Sequence, residues 1–414
     1  MVGSSVAGIR AVETLRQSGW DGDITVVTEE TGVPHDRPPL SKKFLAGEVD
    51  EDRIALRRPE MLEPLALDWR KGCTAASFDA VSRTVVLVSG ETITGDGVII
   101  ATGGSARTLP HVPMVAGVHV LRTLADANAL RDDITPGSRL VVIGAGFIGL
   151  EAAATASQMG ARVTVLEGAP APLIRGLGAQ MGSAIAGVHA RNGVEVRCGV
   201  NIQGIEHDSR VRAVLLAGGE RVEADTVLVG IGVTPATQWL EGSGLELRDG
   251  VVCDEFLSTG FPAVYAAGDL LRWPNAMFAH VEPDMRVEHW TNAAEQGAAA
   301  ASNLVAELNG TERTPYSAVP FFWSDQFDAR IQFLGRSHPD AEVEVVAGSP
   351  EDGRFCAMYV LRDRLTGVLG VSMPKLVMPS RALLMRETTA DEARAHFAAL
   401  VSPPVPPGTG TTKG

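Results

Sequence analysis

The sequence predicts an α/β chain with two doubly wound Rossmann-like units and a smaller α+β unit at its C-terminal end. Two glycine-rich turns of the strand-to-helix kind, Gly3-Ser4-Ser5-Val6-Ala7-Gly8 and Gly144-Ala145-Gly146-Phe147-Ile148-Gly149, each sit among alternating apolar and helical runs. From about Pro320 the pattern changes to short apolar runs separated by polar or Gly-containing turns, with no helical run between them. At 414 residues, 45% of them apolar, the chain is too long for one ordinary core and rich enough to fill two or three.

The second turn has the full context. Leu140-Val141-Val142-Ile143 reads as a buried strand entering Gly144, and an alanine-rich helical stretch runs on to Met159. Such a turn lets backbone N–H groups approach a pyrophosphate at a helix N-terminus, which makes it a dinucleotide site. A further strand, Val163 to Leu166, ends at Glu167, eighteen positions past Gly149. A carboxylate there accepts both hydroxyls of an adenosine ribose and repels a 2′-phosphate, so NADH is favoured over NADPH, with Arg162 or Arg175 able to soften that preference.

The first turn departs from the pattern. Its middle glycine is Ser5, and only Met1 and Val2 stand where a whole apolar strand is expected. A missing central strand leaves neighbouring backbone groups unpaired and apolar surface exposed, and the expectation is a start placed too late. Downstream the parts fit: a helical run from Ile9 to Gln17, a strand over Ile24 to Val27, then Glu29 and Glu30 where a ribose partner belongs. Further strands are expected at Val85 to Val88 and Val98 to Ala101.

The second unit ends around Val227 to Gly232, and Val264 to Ala267 reads as a strand returning to the first unit. Four antiparallel strands are expected at Ile331 to Leu334, Val343 to Ala347, Cys356 to Leu361 and Val368 to Val371. The division is therefore 1–107 with 236–318, 108–235, 319–398, and a disordered tail over 399–414, whose Pro-, Gly- and Thr-rich part starts at Ser402.

A formal charge of −14 argues against a general nucleic-acid binder. Cys73, Cys198, Cys253 and Cys356 are scattered without a CxxC pair, which fits a reducing cytosol and gives no metal or dithiol framework. Apolar stretches are broken well before membrane-spanning length and no leader opens the chain, so a cytoplasmic protein is expected.

Seven further motifs occur in order: Arg37-Pro38-Pro39-Leu40-Ser41-Lys42, Ala101-Thr102-Gly103-Gly104, Leu121-Arg122-Thr123, Gly146 to Glu151, Ala267-Gly268-Asp269, Glu288-His289-Trp290 and Phe322-Trp323-Ser324-Asp325-Gln326. With them the chain resembles, over nearly its whole length, the flavoprotein NADH:ferredoxin (or rubredoxin) reductases of bacterial oxygenase systems, in the glutathione-reductase-like superfamily. The resemblance implies FAD in the first unit. Gly3, Ser5, Ala7 and Gly8 would surround the pyrophosphate, Glu29 the adenosine ribose and Ala75 the adenine. Arg37, Ala101, Thr102, Gly103 and Gly268 belong to the same site, with Asp269 on the ribityl chain, Arg122 at the flavin or its phosphate and Trp290 beside the ring system. Asp269 also fits a helix N-cap, and both readings hold together. Trp323 either lines the route outward or is a core residue of the third unit.

For NADH the resemblance supports Gly144, Gly146, Phe147, Ile148, Gly149, Glu151, Glu167, Arg175 and Gly232. It further implies that Lys42 and Glu151, from different units, form an ion pair beside the flavin nitrogen that receives hydride. Without it Lys42 reads as a solvated loop residue and Glu151 as an ordinary helix charge. The implied partner is a small iron–sulfur ferredoxin, bound transiently. Docking it on an acidic chain calls for clustered cations, with Arg330, Arg336, Lys375, Arg381 and Arg386 together with Arg57 and Arg58 as candidates against scattered solvated charges. A disulfide or peroxide reductase needs a flavin-side cysteine, and none lies between Met1 and Cys73. A direct NADH oxidase and a redox-signalling flavoprotein resembling apoptosis-inducing factor stay open as alternatives.

Overall fold

The computed structural model describes residues 1–401. After the first turn, α1 (Val6–Gln17) buries Ile9, Ala11, Val12 and Leu15, and its end is closed by Ser18 N–H donating to Thr14 O and Gly19 N–H donating to Arg16 O. Strand β1 (Ile24–Thr28) pairs in parallel with β2 (Leu67–Lys71), while β3 (Val98–Ile100) lies on the far side of Val2.

Val2 corrects the expectation of an empty central slot. It bridges Val27 and Ile100 in parallel and is 3% exposed. Its N–H donates to Ile99 O at 3.0 Å, Ala101 N–H donates to Val2 O at 2.7 Å, and Val27 N–H donates to Met1 O at 2.9 Å. The Met1 amine donates to Thr25 O at 2.9 Å. Met1 and Val2 thus pair the backbone that was expected to be orphaned.

A second difference concerns the neighbours. The run at Val85–Val88 does form a strand, Thr84–Leu87, but in a separate three-stranded antiparallel sheet. Its burial alternates, as a strand with one covered face must, whereas all of Val98–Ile100 is buried. The place in the main sheet goes to Leu67–Lys71, a polar strand with no fully buried residue.

The second unit holds a five-stranded parallel sheet: β4 (Val118–His119), β5 (Arg139–Ile143), β6 (Arg162–Glu167), β7 (Glu195–Cys198) and β8 (Thr226–Val229), in the order β7-β6-β5-β8-β4. Helix α2 (Phe147–Gln158) follows β5, and α3 (Ile174–Arg191) follows β6. The chain leaves the first unit along Gly104–Ala106 and returns along Val233–Pro235, and these two crossings pair antiparallel. Strand β9 (Val264–Ala266) then adds to β3, and α4 (Trp290–Leu308) packs across α1.

The third unit is a five-stranded antiparallel sheet of β10 (Phe321–Gln326), β11 (Ala329–Gly335), β12 (Glu342–Ser349), β13 (Arg354–Leu361) and β14 (Arg364–Val371), in the order β10-β11-β14-β13-β12. Strand β10 is additional to the four expected and carries the Trp323 motif. The closing helix α5 (Ala390–Val401) includes residues 399–401, which the sequence placed in the tail, because Phe397 and Ala393 anchor it in the core. The rest of that tail, 402–414, lies outside the described residues.

Candidate functional site

The two glycine turns share one geometry. Gly3 and Gly144 have φ of +104° and +102°, and a Cβ on either would lie 2.2 Å from Ala101 O or 2.5 Å from Gly230 O. The last glycines serve close approach instead: a Cβ on Gly8 would meet Gly3 O at 2.1 Å, and one on Gly149 would meet Gly144 O at 2.3 Å. The middle positions differ in kind. Ser5 (φ −77°) and Gly146 (φ −77°) are both ordinary extended backbone, and a Cβ on Gly146 would come no nearer to protein than 3.9 Å. That side is open, so serine is tolerated there without backbone strain.

Two clefts meet over the first turn. One, with about 1570 Å³ of open volume, runs past Gly3, Ser5, Glu29, Ala75, Ala101 and Thr102. The other, about 1070 Å³, is walled by Lys42, Phe147, Ile148, Glu151, Trp290 and Trp323, with Asp269 on its rim. Ser5, Arg37 and Arg122 line both, so the clefts form one groove with two guanidinium groups at the join. Arg37 donates to Ser5 Oγ at 2.9 Å and to Glu30 Oε1 at 3.0 Å, and its buried Nε has no partner among the described residues. Burial, and then the neighbouring Arg122 cation, lower the Arg37 pKa. Arg122 donates to Asp269 Oδ2 at 2.8 Å and to Gly104 O at 2.9 Å. Two adjacent cations, an orphaned N–H and the N-terminus of α1 suit a diphosphate. Glu29 is the exposed carboxylate of this groove, while Glu30 is occupied by Arg37.

In the second cleft Lys42 Nζ lies 2.6 Å from Glu151 Oε2. Glu151, 5% exposed, also accepts from Ser41 Oγ and Ser324 Oγ, each at 2.6 Å. Lys42 is brought here by a short 3-10 turn, Pro38–Ser41, and donates to Pro38 O at 3.1 Å. Glu151 sits one turn into α2, so the second glycine turn aims that helix at the groove. Trp290 Nε1 donates to Asp36 Oδ1 at 2.6 Å, and burial raises the Asp36 pKa. Trp323 is a half-buried cleft wall, edge-on to Trp290 at 6.3 Å and stacked on Phe321 at 6.1 Å. His289, its pKa lowered to about 3 by burial, is a neutral imidazole on the same wall.

Not every expected residue reaches the groove. Ala7, Gly8, Gly103 and Gly268 are neighbours of its walls, and a Cβ on Gly268 would touch Ala7 Cβ at 3.2 Å. Gly144, Gly146 and Gly149 follow the end of β5, Glu167 ends β6, Arg175 lies in the first turn of α3 and Gly232 follows β8, and all six are outside both clefts. There Glu167 accepts from Ala145 N–H at 2.7 Å and Ala169 N–H at 2.8 Å, closing the second turn. Phe147, Ile148 and Glu151 are the members of that set that reach the cleft. Of the cysteines, Cys73 lines the first cleft and, among the described residues, none lines the second. Ser41, Ser324, Asp36 and His289 were not singled out in the sequence, though three of the four lie inside quoted motifs. Among the described residues no helix is long and apolar enough to cross a membrane.

Comparison with known proteins agrees with this architecture. Residues 1–297 match the model of the pyridine nucleotide-disulphide oxidoreductases, and residues 321–399 match that of the reductase C-terminal domain. Rhodocoxin reductase of Rhodococcus erythropolis is 37% identical over 94% of this chain and 89% of its own length. Putidaredoxin reductase of Pseudomonas putida is 33% identical over 90% and 88%. The crystal structure of the covalent putidaredoxin reductase–putidaredoxin complex superposes with a TM-score of 0.88 at 31% identity, covering 96% of this chain and 97% of that one. The chain therefore belongs to the pyridine nucleotide-disulphide oxidoreductase family, an oxidoreductase working with FAD and NAD(H).

Proposed function

We propose that this protein passes electrons from NADH through FAD to a small iron–sulfur ferredoxin that supplies an oxygenase. The observation that carries the reading is the pair of half-buried Lys42 and buried Glu151 on the wall of a cleft that, among the described residues, no cysteine lines, continuous with a groove along the first glycine turn. Relatives named as ferredoxin reductase components of oxygenase systems, such as that of p-cumate 2,3-dioxygenase of Pseudomonas putida (33% identical over 98% of this chain), support it. The absence of a thiol beside Lys42 disfavours disulfide or peroxide chemistry.

In this reading FAD lies along the groove held by 1–107 and 236–318, NADH against 108–235, and residues 319–398 complete the outer wall. Bound FAD supplies a hydride acceptor that can give up its electrons singly. Arg37, Arg122 and the first turn hold its pyrophosphate, Glu29 its ribose, Ala75 its adenine and Asp269 its ribityl chain. Gly144, Gly146, Glu167, Arg175 and Gly232 hold the nicotinamide cofactor so that it meets Phe147 and Ile148. Lys42 keeps positive potential where negative charge develops, and Glu151 keeps Lys42 there. No residue has to move a proton, and positioning in a water-poor cleft is the main contribution.

Anaerobic titration tests this. The flavin band should bleach at a far lower concentration of NADH than of NADPH, and Glu167→Arg should narrow or invert that ratio, by roughly tenfold or more if one charge contact carries about 1.4 kcal/mol. Equal response of the wild-type protein to both cofactors would remove Glu167 from this role.

For the partner, the expected cation cluster is only partly free. Arg57 is paired with Glu13, Arg336 with Glu282 at 2.7 Å, and Arg330 with Asp325 at 3.5 Å. Among the described residues, Lys375, Arg381 and Arg386 pair with no carboxylate and share a short helical segment, 374–386, with exposed Met378 and Met385. We expect the rate of ferredoxin reduction to fall several-fold between low and physiological salt. A salt-insensitive rate would argue against charge-guided docking there.

A further inference from the structure

Behind Glu151 lies a buried chain of side chains that the proposed hydride transfer does not use. Ser324 Oγ donates to Glu151 Oε1 at 2.6 Å, Gln326 Nε2 donates to Ser324 Oγ at 3.0 Å, and His189 Nε2 meets Gln326 Oε1 at 2.8 Å. Ser324, Gln326 and His189 are each 0% exposed. The directions are fixed by what can pair. With the amide reversed, its oxygen would take the Ser324 proton and Glu151 Oε1 would lose its donor. With the present amide His189 must carry its proton on Nε2, which leaves Nδ1 as a bare acceptor. That nitrogen is buried without a partner among the described residues, and burial lowers the His189 pKa, both consistent with a neutral ring.

Every donor in the chain therefore points toward the Glu151 carboxylate, and such chains polarise one another in a low-dielectric interior. The two carboxylate oxygens divide their work. Oε2 takes Lys42 and Ser41, while Oε1 takes Ser324. Without the Oε1 bond the carboxylate is held through Oε2 alone, by Lys42 and Ser41, and its last torsion, a broad two-fold one, is less restricted, so the Oε2–Lys42 geometry is less sharply fixed. Lys42 belongs to the first unit, Glu151 and His189 to the second, Ser324 and Gln326 to β10 of the third.

We propose that Ser324, Gln326 and His189 are positioning residues that fix Glu151, and through it Lys42, at the flavin edge, so that the third unit sets the reductive site as well as its outer wall. This rests on the reading of the second cleft as the flavin site.

The test is Gln326→Met, nearly isosteric and apolar, in the FAD-loaded protein. At a fixed dye potential the ratio of reduced to oxidised flavin should fall about tenfold, equivalent to about 30 mV for a two-electron couple. The rate of flavin reduction at saturating NADH should fall by a similar factor while the NADH dissociation constant stays unchanged. In a Lys42→Met background the same substitution should have no further effect on either quantity. Should Gln326→Met fail to hold flavin, Ser324→Ala must show both losses and Ser324→Thr, which keeps the hydroxyl, must recover them. Unchanged potential and rate, or equal losses with and without Lys42, would overturn the chain's role. A wild-type protein that NADH does not reduce would instead overturn the proposed function and leave the potential measurement to decide the chain.

Discussion

Replacing Glu151 with leucine should slow flavin reduction by NADH on the order of 100-fold and destabilise the protein by less than the roughly 3–5 kcal/mol that stripping one partner from a fully buried ion pair costs, because the stranded Lys42 is half-buried. The stability loss has named sources. Lys42 would remain on the cleft wall with Pro38 O as its surviving acceptor, and Ser41 would lose its 2.6 Å acceptor in a buried setting. Leucine fills much of the volume, so cavity formation contributes little. Adding Lys42→Met removes the orphaned cation, and replacing a whole buried pair by apolar groups is often neutral. The double variant should therefore regain most of its melting temperature and none of its rate. Thermal unfolding and stopped-flow reduction measured on the same samples separate the two effects. A single variant as stable as wild type would show that the pair is solvated in solution, and recovery of rate in the double variant would remove Lys42 from hydride transfer.

What made the groove legible was local. Both turns combine a glycine at strained φ with a glycine at close approach, and such needs leave a mark in the sequence within six residues. The Lys42–Glu151 pairing came from a resemblance, since nothing in either residue's neighbours distinguishes it from a solvated charge. Strands buried on both faces, such as Leu140 to Ile143 and Val98 to Ile100, announced themselves as apolar runs. Leu67–Lys71 did not, because an edge strand with exposed faces can be built from Asp, Arg and Lys. Thr84–Leu87 was legible as a strand but not its separate three-stranded sheet, for a short alternating run fixes its own conformation and says nothing of its partner. Ser324, Gln326 and His189 were beyond reach for a different reason. The bonds from Ser324 to Glu151 and from His189 to Gln326 span 173 and 137 positions, and periodicity carries no information at that separation.

Gly297→Ala should yield protein with little bound flavin, although an alanine inside a helix ordinarily gains up to about 1 kcal/mol over glycine. Helix α4 crosses α1 at this residue, and a Cβ there would lie 2.1 Å from Ala7 O and 3.0 Å from Ala7 Cα. Both clashing atoms are backbone, so no side chain can rotate away, and overpacking of this kind costs about 1–3 kcal/mol or more. Ala7 also faces Gly268, where an added Cβ would lie 3.2 Å from Ala7 Cβ, and it stands in the first turn of α1, two residues beyond Ser5 at the join of the clefts. Pushing Ala7 away from α4 shifts the N–H groups that face the pyrophosphate, so the dissociation constant for FAD should rise about tenfold or more. Ser302→Ala on the exposed side of the same helix gives the propensity gain without the clash and should keep its flavin. The flavin-to-protein absorbance ratio after gel filtration reads both variants. If Gly297→Ala retains as much flavin as Ser302→Ala, the crossing of α1 and α4 is looser than these distances require, and the first turn does not depend on it for its aim.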